Sequence, residues 1–67
     1  MKQKKELNFI IQFNYGYGWE DVSWYPCGIR QVNFSKAYRQ AKEDLKEYIY
    51  SSDGSYRLIK RYEEFVK

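Results

Sequence analysis

The sequence predicts an α+β fold: a single small domain in the order β-β-α-β, whose antiparallel sheet carries one amphipathic helix packed on one face. Three observations lead there. Residues 7–15 alternate apolar and polar side chains, glycines flank Tyr17 where the chain must reverse, and residues 34–49 place apolar groups at helical spacing. Period two marks a half-buried strand and a period near 3.6 marks a helix.

In the first strand, Leu7, Phe9, Ile11, Phe13 and Tyr15 point one way and Asn8, Gln12 and Asn14 the other, with Ile10 the exception. Gly16-Tyr17-Gly18 follows, and glycines tolerate the positive φ of a tight hairpin. Residues 19–25 read as a second strand, more by residue type (Trp, Val, Trp, Tyr) than by alternation, and Pro26-Cys27-Gly28 ends it. Residues 29–33 are read as irregular.

The helix is the clearest element. Ser35 is the expected N-cap, its hydroxyl accepting from a free first-turn N–H. Phe34, Ala37, Tyr38, Ala41, Leu45, Tyr48 and Ile49 fall within a sector of roughly 120°. Ser51-Ser52-Asp53-Gly54 stops the helix, with left-handed backbone expected at Gly54. Residues 56–67 satisfy both periods. A lone hairpin under a helix makes a thin core, so a third strand, through about residue 61, is the more stable choice.

Composition narrows the function classes. With 67 residues, one cysteine and no histidine, neither an internal disulfide nor a Cys/His zinc site can form, so no cofactor or metal is expected. Aromatic residues make up 21% of the chain and must compensate, since each buries roughly 150–250 Å². No apolar run reaches the ~20 residues of a membrane span, and neither a sustained apolar segment nor a small-residue cleavage site follows the basic start. Residues 1–6 read as a flexible basic terminus. A lone Cys27 suits a reducing compartment, so cytoplasm is the expected location. The net charge of +3 spreads nine acids among twelve bases, short of the concentrated basic face of a dedicated nucleic-acid module.

Catalytic chemistry finds little to work with. Without histidine, acid–base work falls to carboxylates, lysine or tyrosine, and Cys27 has no base beside it in sequence. Asp44-Leu45-Lys46 echoes the acid-x-Lys pair of some nucleases, but that pair belongs on a strand beside another acid and this one lies on a helix. The chain is read as a non-enzyme.

The most distinctive run is Asn14-Tyr15-Gly16-Tyr17-Gly18-Trp19-Glu20-Asp21-Val22. It lacks the third glycine of a dinucleotide-binding loop and opens no helix. It echoes the aromatic RNA-binding strand motif, but Tyr15 stands at the basic position and Glu20-Asp21 puts negative charge where phosphates would pass. Tyr15, Tyr17, Trp19, Trp24 and Tyr25 cannot all enter so small a core. Exposed Trp and Tyr serve as interface anchors. Tyr17, Trp19, Trp24 and Tyr25 are therefore the candidate protein-binding residues, with Glu20 and Asp21 selecting a basic partner. The alternative is nucleic-acid binding through Arg39, Lys42, Lys46, Arg57 and Arg61. A third reading is a homo-oligomer joined through the exposed aromatics.

The Tyr-Gly-Tyr-Gly-Trp-Glu-Asp-Val run (15–22), Ala37 and Ala41 with Leu45-Lys46-Glu47-Tyr48, and the final Tyr56-Arg57-Leu58-Ile59-Lys60-Arg61 together resemble a group of very small phage and mobile-element proteins. The likeness spans most of residues 7–62 and departs at 24–33, which reads as an insertion. What it implies, by analogy with phage-borne proteins that occlude host surfaces, is an inhibitor of a host defence nucleoprotein, such as a CRISPR effector, of the anti-CRISPR kind.

Overall fold

The structure, a computed structural model, describes residues 4–51 and 54–65. Strand β1 (Lys4–Asn14) is followed by β2 (Trp19–Pro26), a one-turn 3-10 segment (Ile29–Gln31), helix α1 (Phe34–Ser51) and strand β3 (Ser55–Phe65). The sheet is antiparallel in the order β2-β1-β3, so the first and most apolar strand is central. This is the expected β-β-α-β order, with a longer third strand. Of the basic terminus expected to be flexible, residues 4–6 are instead strand, paired with β3; residues 1–3 lie outside the described residues. Among the described residues no helix is long and apolar enough to cross a membrane.

The hairpin turns as its glycines require. Gly16 and Gly18 have φ of 97° and 151°, Tyr15 N–H donates to the Gly18 carbonyl (3.2 Å), and Asn14 Oδ1 accepts from Gly16 N–H (2.7 Å). Strand β2 is then re-phased. Its register against β1 shifts between Ile11 and Gln12, where β2 carries one extra residue, Val22: Ile11 faces Ser23 while Gln12 faces Asp21. Such a bulge exchanges the faces of everything beyond it, and this explains the imperfect alternation of residues 19–25.

Leu7, Phe9, Cys27, Ala37 and Ala41 form the core, with Tyr25 and Leu58 packed against it. The two alanines keep the facing turn of α1 small, so the helix lies close to the sheet. Phe9 meets Phe34 edge-on (centroids 5.2 Å apart) and Tyr38 at a tilt (5.3 Å). Towards the other end of α1, Tyr48 stacks on Tyr56 (4.9 Å), which meets Phe13 (4.9 Å) and through it Tyr15 (4.8 Å).

Two local expectations change. The first intrahelical bond runs from Ala37 N–H to the Asn33 carbonyl (2.8 Å), so Asn33 holds the cap position and Ser35 lies inside the first turn. The chain enters the helix early because the connector is tied down: Gln31 N–H bonds to Gly28 O (3.0 Å) and Asn33 N–H to Cys27 O (2.7 Å). That turn holds Arg30 and Gln31 in left-handed backbone, φ 57° and 59°. The left-handed expectation at Gly54 turns on Asp53, which with Ser52 lies outside the described residues. What the structure does give Gly54 is close approach, since a Cβ there would stand 1.9 Å from Cε1 of Phe13.

Candidate binding face

Side chains alternate across a sheet, so α1 covers one face only. The other face stays open. On it the register aligns Trp24, Ile10 and Ile59 in one row, Asp21, Gln12 and Arg57 in the next, and Trp19, Asn14 and Ser55 in a third, with Arg61 opposite Asn8. The bulge at Val22 is what puts Trp24 on the same side as Asp21 and Trp19.

Two arginines of β3 reach across the central strand to β2. Arg61 Nη1 donates to Asp21 Oδ2 (2.7 Å) and Nη2 to Oδ1 (3.3 Å). Arg61 starts in the row of Asn8 and Asp21 in the row of Gln12, so their ion pair passes over Ile10. With Trp24 and Ile59 flanking it, Ile10 is fully buried although no helix covers this face. Arg57 reaches the same way, its guanidinium carbon 4.1 Å from the Trp19 ring centre. Its Nε donates to Gln12 Oε1 (2.8 Å), and Gln12 Nε2 donates to Asp21 Oδ1 (2.7 Å), so one bonded chain links all three strands. Asn8 Nδ2 donates to Glu63 Oε1 (2.6 Å). Asn8 and Gln12 are both buried and both bonded, which removes the cost of burying their amides. The Arg61 bonds, and then that from Gln12, hold the Asp21 carboxyl below the usual carboxylate range.

The sequence-predicted site divides between surfaces. Trp19, Asp21 and Trp24 share the open face, and Trp24 is 53% exposed. Tyr17 stands fully exposed at the hairpin tip. Glu20, opposite Phe13, is on the helix side, where its carboxylate raises the Tyr15 hydroxyl pKa, chiefly through a hydrogen bond. Tyr25 is also on the helix side. It is half-buried and donates to Asp44 Oδ2 (2.6 Å), and burial followed by that carboxylate pushes its pKa up to about 12. Glu20 and Tyr25 therefore do not join Asp21 and Trp24: neighbours on a strand face apart. Asp21 also differs from the expectation of a free carboxylate awaiting a cation, since Arg61 already occupies it.

The alternative basic set divides as well. Arg57 and Arg61 lie on the open face, while Arg39, Lys42 and Lys46 belong to the helix on the opposite side of the sheet. They form no single patch. Lys60, next to Arg61 in sequence, faces the helix and lines a groove with Lys42. Arg57 and Arg61 give the open face no net positive charge, because they share it with Asp21, Glu63 and Glu6.

Sequence reasoning did not assign Arg57 and Arg61 to the aromatic surface. Their spacing of four was the available signal, since it sets both on one face of a strand. Cys27 is fully buried, its thiol pushed up first by burial and then by the Glu6 charge, the reverse of an activated nucleophile. Compared with known proteins, the chain matches no family model, no curated protein and no solved structure.

Proposed function

We infer that this chain is a non-enzymatic protein-binding module that presents the open sheet face, with Trp24 as anchor and the exposed hairpin tip at Tyr17 at the far end of the strand, beyond Trp19. The observation that carries this reading is the half-exposed Trp24 set next to a fully buried Ile10 and the arginine-laced rows of the same face. Trp, Tyr and Arg supply most binding hot spots, and side chains already fixed by neighbours lose little entropy on binding. Arg57 is held by the Trp19 ring and Gln12, so its remaining N–H groups point from a fixed position. A protein fits this face better than a nucleic acid does, because Asp21, Glu63 and Glu6 offset the arginines that phosphates would need.

A non-enzymatic role is supported by the lack of histidine and by the buried, raised thiol of Cys27. The partner class is supported by the resemblance of the 15–22, helix and 56–61 motifs to small phage proteins: a host defence nucleoprotein of the CRISPR-effector kind, met in the bacterial cytoplasm.

The test is affinity capture from bacterial lysate, with and without nuclease treatment, using tagged wild type, Trp24→Ala, Tyr17→Ala and Tyr50→Ala. Tyr50 is an equally aromatic but remote control, 93% exposed on the helix. The expected result is one defined protein complex, lost with Trp24→Ala, weakened with Tyr17→Ala and kept with Tyr50→Ala. Recovery that ignores Trp24, or that disappears with nuclease, would overturn the reading and in the second case favour nucleic acid.

A further inference from the structure

The two edges of the sheet differ. Strand β2 is bulged at Val22 and ends at Pro26, and both features discourage a further strand from pairing there. Strand β3 runs for 11 residues in unbroken register with β1, and among the described residues no strand lies along its other side. In an antiparallel pair, alternate N–H and C=O groups turn away from the partner, so β3 presents an ordered row of donors and acceptors.

Beside that edge lies a groove between α1 and β3. Its apolar wall is built by Phe9, Phe34, Tyr38, Leu45 and Leu58, and Lys42 and Lys60 stand in it as cations. Lys42 lies 5.8 Å from the Tyr38 ring centre, and among the described residues neither lysine has an acidic partner. Arg57 stands on the other face of the same strand with its terminal amines unbonded among the described residues. The groove side of the edge is thus cationic, whereas on the open-face side Arg57 is offset by the carboxylates of Asp21 and Glu63.

We propose that the β3 edge is a second binding site, distinct from the open face, which takes an extended peptide segment of alternating acidic and apolar residues as a fourth strand. Backbone pairing supplies the affinity of such strand addition and pockets for alternate side chains supply the selection. Because neighbours on a strand face apart, its carboxylates all point to the α1 side, where they meet Lys60 and Lys42 in the groove, and its apolar side chains lie on the open face beside Ile59. A second copy of this chain is a poor occupant. In an antiparallel β3–β3 pair centred on Ile59, Arg57 lies opposite the copy's Arg61, and in one centred on Lys60 the two copies of Lys60 face each other; like charges on paired strands are destabilising.

The experiment uses the full chain labelled with ¹⁵N and three capped decapeptides: alternating Glu/Val, alternating Lys/Val, and the Glu/Val peptide N-methylated at every second residue. The Glu/Val peptide is expected to shift the amides of residues 55–65 and to bind about tenfold more tightly than the Lys/Val peptide. N-methylation is expected to abolish binding on the methylated edge, and Lys60→Glu, an exposed position that leaves the fold intact by circular dichroism, to weaken it about tenfold. Equal binding by the acidic and basic peptides overturns the proposal. So do shifts confined to the row of Trp24, no shift at the highest soluble peptide concentration, or sedimentation showing that the chain pairs with itself through β3.

Discussion

Replacing Gly54 with alanine tests whether that glycine is required by contact or by backbone freedom. A Cβ at Gly54 would stand 1.9 Å from Cε1 of Phe13, and 2.8 and 2.9 Å from Cζ and Cδ1. Carbon atoms rest at about 3.5–4.0 Å, so the ring must retreat by about 1.6 Å or the loop must lift. The ring is not free to retreat, because Tyr15 and Tyr56 hold it at 4.8 and 4.9 Å between centroids. Overpacking of this kind costs about 1–3 kcal/mol, against about 3–5 kcal/mol of total stability for a domain of this size. At about 4–8 °C per kcal/mol, Gly54→Ala is expected to lower the melting temperature by roughly 4–24 °C, read by circular dichroism at 222 nm.

The decisive assay is a double-mutant cycle. Phe13→Leu removes the ring edge at a cost of about 1 kcal/mol, and in that background Gly54→Ala is expected to lose most of its effect. Gly16→Ala is the control. Nothing lies within 4 Å of its Cβ, but its φ is 97°, so its cost of about 1–2 kcal/mol comes from backbone strain and adds independently of Phe13. If Gly54→Ala costs the same with and without the Phe13 ring, the contact argument is wrong.

Four further outcomes are expected. Tyr25 has its pKa raised to about 12 by burial and by Asp44, so its contribution to stability is complete below the unfolded value near 10 and declines as pH rises from there through about 12. Tyr25→Phe should flatten that alkaline loss, followed by denaturant titration between pH 9 and 12. Asp21 is shifted the other way by Arg61 and Gln12, so it stabilises above the ordinary carboxylate pKa and that stability is lost as pH falls through its lower folded value; Arg61→Gln should remove this acid-side loss. Ellman's reagent should leave the fully buried Cys27 almost unmodified in native protein and react at once in urea, and rapid native reaction would show that the thiol is not enclosed. Arg30→Gly should raise the unfolding free energy, read by denaturant titration, by about 0.5–1 kcal/mol, because Arg30 is exposed in left-handed backbone that glycine adopts without strain.

Sequence alone determined the parts of this protein governed by local geometry. Alternation in residues 7–15 reports a pleat, the sector from Phe34 to Ile49 reports a helical turn, and Gly16 and Gly18 report a reversal, because each depends only on neighbours a few residues away. The strand choice for the final segment followed from the need to widen a thin sheet. What required tertiary structure is everything set by register. One extra residue at Val22 moved Trp24 onto the face of Trp19 and Asp21 and left Tyr25 bonded to Asp44 on the helix side. Arg61 and Asp21 are 40 residues apart, and only the order β2-β1-β3 lets one reach the other over Ile10. Ile10 shows the division most plainly: an exception to the pattern along the chain, it becomes the buried centre of the open face once both outer strands are in place. Gly54 likewise was legible as a glycine after a helix, but its contact with Phe13 is 41 residues distant in sequence and exists only when β1 and β3 are paired. Local periodicity is fixed by the backbone of each segment, whereas a binding face is made by side chains that different strands bring together.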